Sequence, residues 1–332
     1  MSSDPSLRPE HFSALRIAVV GDFLLDRYMI GNSSRVSREA PIVVVDYDRT
    51  ADYPGGAANA AQNIAALGAT AVAVGVLGDD EEGRALRVLL DRCGVHTDGL
   101  ITESTAATST KLRILAGEMN AQKQQVARVD RSHRHASGVE RGAVLRAALD
   151  DALRSCDAVL VSDYGMGLVS GDLAGVIVEG ARGRGVPVVI DSRFALPAFR
   201  GATVATPNEV EALDVLGADA REEPPLEEVA RGLREATGID GFIVTRGSRG
   251  MLVCEPDGVT HPIDIAGSNE ATDVTGAGDT VSAVVALSLA CGASLVEAAR
   301  MATYAAGVVV MKRGTATASI AEINARMAAQ EV

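Results

Sequence analysis

A chain of 332 residues that is 47% hydrophobic and 23% charged has enough apolar material for a sizeable buried core. Its formal charge of −13 argues against the basic footprint of a nucleic-acid binder. Aromatics are 3% and Trp is absent, so Ala, Val, Leu and Ile must build the core, which favours helices on a buried sheet over an aromatic-rich sandwich.

From the N-terminus, residues 1–11 read as a flexible tail with no cationic start and apolar run of an export signal. Ile17–Val20 is a β-branched run of strand type. Gly21-Asp22-Phe23-Leu24-Leu25-Asp26 follows its carboxyl end, where α/β folds place ligands, so Asp26 is a candidate acceptor for two hydroxyls. Ile42–Asp48 alternates polar and apolar residues, as a half-solvated strand does. Gly55-Gly56-Ala57-Ala58-Asn59 then opens a helix over 57–67. It is either a glycine-rich cap or a place where the backbone approaches a polar ligand, with Asn59 offering donor and acceptor to sugar hydroxyls.

A strand at Val72–Val74 and a helix over 81–93 precede a second alternating stretch, Thr108–Val129. Both polar stretches interrupt the strand–helix order, so they are expected to form a small antiparallel sheet acting as a lid. Helices over 139–155, 171–182, 209–216 and 226–237 then alternate with strands at Ala158–Val161, Val186–Ile190, Thr203–Ala205 and Phe242–Val244. That alternation predicts an α/β fold: a mostly parallel sheet with helices on both faces. Asn208 is a natural N-cap; Glu211, three residues on, completes a capping box or helps hold Mg²⁺ through water. Thr245–Gly250 links two strands as a simple hairpin or as a wall for a nucleotide. The remainder is helical over 276–290, 295–311 and 320–329. No apolar run has transmembrane length. Cys93, Cys156, Cys254 and Cys291 lie far apart beside apolar runs, and are expected to be buried, reduced thiols in a cytoplasmic protein.

The densest chemistry lies in Asp273-Val274-Thr275-Gly276-Ala277-Gly278-Asp279-Thr280. Val281, Val284, Val285 and Ser288 follow at helical spacing, which puts Gly276-Ala277-Gly278 on a first turn. Its unpaired N–H groups and the positive helix end form an anion site, and small residues admit a phosphoryl group. Asp279 beside it is placed to take a proton from an attacking hydroxyl. No G-x-x-x-x-G-K-[ST] exists, and the lysines Lys111, Lys123 and Lys312 lie outside glycine-rich loops, which excludes P-loop kinases. No G-x-G-x-x-G follows the first strand, and the protein-kinase strings are missing.

Gly55-Gly56-Ala57-Ala58-Asn59, then Asn208-x-x-Glu211, then Asp273-x-Thr275-Gly276-Ala277-Gly278-Asp279 together resemble the ribokinase/PfkB carbohydrate kinases across nearly the whole chain. The resemblance implies one kinase domain over 12–330, with a ribokinase-like three-layer α/β/α fold and a β lid. It also implies ATP with Mg²⁺ as donor and a homodimer through the lid. By that resemblance Asp279 is the base and Gly276, Ala277 and Gly278 the anion hole. Asp26, Gly55, Gly56 and Asn59 bind sugar, and Asp163 and Tyr164 face it. Asn208, Glu211 and Arg193 serve the phosphate end; Thr245, Gly247, Gly250, Ala306 and Gly314 enclose the nucleotide. Asp273 and Thr275 place a monovalent cation such as K⁺.

Gly21-Asp22-x-x-x-Asp26-Arg27-Tyr28, Ser34-Arg35-Val36-Ser37-Arg38-Glu39-Ala40-Pro41, Thr110-Lys111-Leu112-Arg113 and Ser162-Asp163-Tyr164 look like one branch, the D-glycero-β-D-manno-heptose 7-phosphate kinases. That branch implies phosphorylation of the anomeric hydroxyl to the 1,7-bisphosphate, on the route to ADP-heptose for lipopolysaccharide. Arg27, Arg35, Lys111 and Arg113 are then the cations for a substrate phosphate. Ser192-Arg193 stands where Pro-Lys is expected and Met166 where lysine is usual. Other readings of the same motifs are a kinase for another pentose or hexose, free or phosphorylated, and a catalytically silent sugar- or nucleotide-binding regulator.

Overall fold

Apolar residues on successive positions of Ile17–Val20 must be covered on both sides, and the fold does this with two helical layers around one sheet. The computed structural model describes residues 7–37, 39–40, 42–118, 123–135, 139–169, 171–219, 221, 224–267 and 271–330. Its strands are β1 (Arg16–Gly21), β2 (Phe23–Val36), β3 (Val43–Gly56), β4 (Thr70–Gly78), β5 (His96–Glu103), β6 (Thr110–Gly117), β7 (Gln124–Arg131), β8 (Ala158–Asp163), β9 (Val188–Ser192), β10 (Val204–Ala205), β11 (Gly241–Thr245), β12 (Met251–Cys254) and β13 (Thr260–Ile263). Its helices are α1 (Ala57–Ala66), α2 (Glu81–Arg92), α3 (Val139–Leu153), α4 (Gly171–Arg182), α5 (Glu209–Leu216), α6 (Leu226–Thr237), α7 (Ala277–Ala290), α8 (Leu295–Val309) and α9 (Ile320–Gln330).

The main sheet runs β13-β12-β11-β10-β9-β8-β1-β4-β5. It is parallel from β5 to β11, with β12 and β13 added antiparallel. Alternation along β1 divides the interior: Ile17 and Val19 join a core with α1, α7 and α8, whereas Ala18 and Val20 join one with α3, α4 and α6. This is the ribokinase-like three-layer arrangement. At the N-terminus, Pro9–Ala14 forms a short 3₁₀ helix that buries Pro9 and Phe12, so residues 9–11 do not belong to the flexible tail expected over 1–11, of which residues 1–6 lie outside the described residues.

The lid differs from expectation. It is a mixed sheet of order β3-β2-β6-β7, in which β2 pairs parallel with β6 while β2–β3 and β6–β7 are antiparallel. Its strands extend beyond 42–48 and 108–129, because β2, whose first residues were expected only to face a ligand, is with β6 one of the lid's two central strands. Phe23-Leu24-Leu25 is buried in the main body while the same strand continues outward, so neither strand period is clean. The cysteine expectation holds for Cys156 and Cys254, but Cys93 is exposed and Cys291 half-buried. Among the described residues no helix is long and apolar enough to cross a membrane.

Candidate active site

β1 and β8 are neighbours, but from them the sheet grows through β4 on one side and β9 on the other. The diverging connections leave a crevice at their carboxyl ends. The Asp22 N–H closes the strand ends together, donating to the Ser162 carbonyl at 3.0 Å. The first turn of α7 lies in this crevice, with Gly276 as its N-cap at φ 78° and Asp279 buried in the first turn. Both Asp279 oxygens are held: Oδ2 accepts from Asn59 Nδ2 at 2.6 Å and Oδ1 from the Tyr164 hydroxyl at 2.8 Å. Burial raises the Asp279 carboxyl to about 6, against the opposing pull of Asn59, Tyr164 and Lys111. A carboxylate tuned there is ionised at neutral pH yet more basic than a free aspartate, as a general base requires.

A hydrogen-bond network lies behind Asp279. Asn59 Oδ1 accepts from Gln62 Nε2 at 2.7 Å and from Asn63 Nδ2 at 3.2 Å. Its acceptor is therefore spent inside α1, and its NH₂ group points at Asp279. Asn59 therefore holds Asp279 through its NH₂ group while its oxygen is held within α1. Asn63 also accepts from Thr280 Oγ1 at 3.0 Å, tying α1 to α7. Gln62 and Asn63 carry no motif of their own; their position three and four residues after Asn59 on one helix was the available signal. A Cβ on Gly276 would lie 2.4 Å from Asn59 Nδ2, so glycine is needed there for close approach as well as for its positive φ.

A cavity of about 310 Å³ opens over Asp279. Asp26 reaches it from β2, but its Oδ1 is held by Arg113 Nη1 at 2.6 Å in a nearly buried ion pair. A Cβ on Gly55 would sit 2.7 Å from Asp26 Oδ2, so Gly55 makes room for that carboxylate, and Gly56 caps α1. Asp163 lines the cavity with its oxygens engaged: Gly165 N–H donates to one at 2.9 Å and Ser192 Oγ to the other at 2.6 Å. Tyr164 turns its hydroxyl to Asp279, and its ring lies 4.5 Å from Lys111 Nζ and 4.4 Å from Arg193 Cζ. Arg27 is held by Asp52 at 2.8 Å and Glu82 at 3.3 Å. The side chain of Arg35 lies outside the described residues.

Beside the cavity is a neutral slot of about 200 Å³ walled by Thr245, Gly247 and Gly250 after β11 and by Ala306 of α8. Thr245, Val274 and Gly278 line both spaces, so the two are joined at the α7 N-terminus. The slot's lining carries no charged side chain, which suits a flat nucleobase, while phosphates would run toward the anion site. Gly314 is not part of that slot: its N–H donates to Asp273 Oδ2 at 2.9 Å, and Thr275 N–H donates to Asp273 Oδ1 at 2.9 Å. Asn208 and Glu211 form the reciprocal capping box of α5, each bond 2.9 Å, and both line the catalytic cavity.

Sequence reasoning passed over Asp191, an acid at the carboxyl end of buried β9, which is the strand position where it belonged among the candidates. Burial first, then Asp279 and Glu211, push its carboxyl up to about 8. Repulsion among Asp191, Asp279 and Glu211, three of the five acids that line the cavity, would be relieved by a cation, so the donor set fits a divalent ion shared with nucleotide phosphates. Among the described residues no cluster of His, Cys, Asp and Glu could hold an ion unaided.

The family model described as pfkB family carbohydrate kinase matches residues 14–322. The chain belongs to this family. It is a sugar kinase, and the activity implies a sugar, ATP and a divalent metal ion as ligands. The bifunctional protein HldE of Desulfatibacillum aliphaticivorans is 36% identical over 97% of this chain. That of Coxiella burnetii (strain Dugway 5J108-111) is 39% identical over 94%. The chain spans 65% and 63% of those relatives' lengths. Among solved structures, phosphofructokinase-2 from Escherichia coli in complex with potassium matches with TM-score 0.76 at 18% identity, covering 96% of this chain and all of that one (100%). Arabidopsis thaliana ribokinase complexed with ribose and ATP matches with TM-score 0.72 at 20% identity, covering 95% of this chain and 99% of that one.

Proposed function

We propose that this pfkB kinase transfers the γ-phosphoryl group of ATP to the anomeric hydroxyl of D-glycero-β-D-manno-heptose 7-phosphate, giving the 1,7-bisphosphate for ADP-heptose and lipopolysaccharide core synthesis. The observation that carries the kinase chemistry is Asp279, held by Asn59 and Tyr164 beside the α7 anion site, between the polar cavity and the neutral slot. The choice of sugar rests on the branch motifs around Asp26, Lys111 and Asp163 and on similarity to the HldE proteins.

In this reading the sugar hydroxyl lies against Asp279, which takes its proton as the oxygen attacks phosphorus and the bond to ADP breaks. Backbone N–H groups of Gly276 and Gly278 stabilise the transferring oxygens, beside Ala277, whose own N–H donates to the Val274 carbonyl at 3.2 Å. Bound Mg²⁺ would supply charge neutralisation of the phosphates, with Glu211 and Asp191 as its protein-side acids. Asp273 and Thr275 support a monovalent cation such as K⁺ near the anion site. The lid exposes Val43, Tyr47, Val126 and Val129, which supports pairing of two copies through it in the cytoplasm.

A panel of sugars with ATP and Mg²⁺, with products read by ³¹P NMR, tests the assignment. The expected result is turnover of the heptose 7-phosphate to an anomeric phosphate. No turnover of it, alongside rapid use of ribose or fructose, would overturn the assignment.

A further inference from the structure

Asp22 stands between β1 and β2, is 2% exposed, and lines neither the cavity over Asp279 nor the neutral slot. Its carboxylate is aimed at the turn that follows β8. Oδ2 accepts from the Tyr164 N–H at 2.9 Å and from the Met166 N–H at 3.1 Å. The N–H between them, on Gly165, donates to Asp163 Oδ1 at 2.9 Å. Two neighbouring carboxylates thus take three successive backbone N–H groups, which fixes the path of the turn. Gly165 adopts φ 77° there, and a Cβ on it would lie 2.7 Å from the ring of Phe194, so the turn is also packed from outside.

The main chain of Asp22 extends the clamp, because its carbonyl accepts from the Ala57 N–H at 3.0 Å. The segments joined at Asp22 carry both donors to Asp279: Tyr164 follows β8, and Asn59 lies near the start of α1. The link to α1 is backbone only, so the carboxylate itself acts on the Tyr164 side.

A carboxylate is a costly way to hold this turn. Burial raises the Asp22 carboxyl to about 6, against the pull of the Met166 N–H and with a further push from Asp163. Its Oδ1 is buried without a hydrogen-bond partner among the described residues. The use that offsets this cost lies in what the turn carries.

We propose that Asp22 is a positioning residue for phosphoryl transfer: its carboxylate fixes the Tyr164–Met166 turn so that the Tyr164 hydroxyl meets Asp279 Oδ1. The inference rests on Asp279 as the base for its effect on turnover, while the link from Asp22 to Tyr164 does not.

The test is a double-mutant cycle on kcat, run with whichever acceptor the sugar panel shows to be turned over. It compares wild type, Asp22→Ala, Asp22→Asn, Tyr164→Phe and the doubles with Tyr164→Phe, with Asp279→Asn assayed beside them. Asp22→Ala strands two buried N–H groups and is expected to lower kcat about 10- to 100-fold, with KM for sugar and for ATP within about threefold of wild type. Asp22→Asn keeps a carbonyl oxygen for both N–H groups and should recover most of the loss. In the Tyr164→Phe background Asp22→Ala should cost less than about threefold more, because the hydroxyl it places is gone. Where Asp22→Ala does not fold, Asp22→Ser, one atom too short to reach both N–H groups, takes its place in the cycle. A loss from Asp22→Ala that is as large without the Tyr164 hydroxyl as with it would overturn the proposal, as would a raised KM with kcat unchanged. If Asp279→Asn keeps wild-type turnover while the cycle stays non-additive, the assignment of the base fails and the link from Asp22 to Tyr164 stands.

Discussion

Replacing Asp279 with Asn separates the cost of burying the base from its use. Raising the Asp279 carboxyl from 3.8 to about 6 corresponds to a penalty on the order of 3 kcal/mol for the ionised form. Below about pH 4 the carboxyl is protonated in both folded and unfolded chains and imposes no penalty. Between about pH 4 and 6 the unfolded chain has lost the proton while the folded protein retains it. Wild-type stability therefore falls as pH rises through that window, and the full penalty persists above it. Asparagine removes this term but returns part of it, because its NH₂ group takes the place of an oxygen that accepts from Asn59 Nδ2 or from the Tyr164 hydroxyl. The expected net effect of Asp279→Asn is a gain of about 1–2 kcal/mol at pH 7.5 that becomes a loss of about 1 kcal/mol near pH 4, where the penalty is gone and the mismatch remains. Denaturant unfolding across pH 4 to 8 measures it, and turnover should fall about 10²- to 10⁴-fold. A stability difference independent of pH, or retained turnover, would refute both the burial argument and the assignment of the base.

Tyr164→Phe removes the hydroxyl donor to Asp279 Oδ1, so the acidic limb of kcat/KM should move to higher pH while the folded state persists; an unmoved limb would mean that Tyr164 does not tune the base. Gly276→Ala places a Cβ 2.4 Å from Asn59 Nδ2 at a backbone φ of 78°, which should cost about 2–4 kcal/mol in thermal or denaturant unfolding and depress kcat more than KM; a loss under about 0.5 kcal/mol would contradict the close approach.

Much of the catalytic half was legible because its signals are local. Glycines before a helix, an aspartate in its first turn and Asn208 with Glu211 at capping spacing each state their geometry within a few residues. The lid was less legible. The strand Phe23–Val36 serves the core at one end and the lid at the other, so its pattern follows neither environment throughout, and a parallel β2–β6 pairing across many intervening residues leaves no short-range mark.

The sequence by itself determined the α/β layering and placed Gly276 and Asp279 on the first turn of α7, because periodicity, capping and backbone freedom are properties of consecutive residues. Only the tertiary structure decided what each polar group is used for. It spends the Asn59 acceptor on Gln62, ties Asp26 to Arg113, engages Asp163 with Ser192 and sets Lys111 and Arg193 against the ring of Tyr164. Those outcomes depend on which side chains the crossing of two sheets brings within about 3 Å, and partners so distant in sequence leave no periodic trace along the chain.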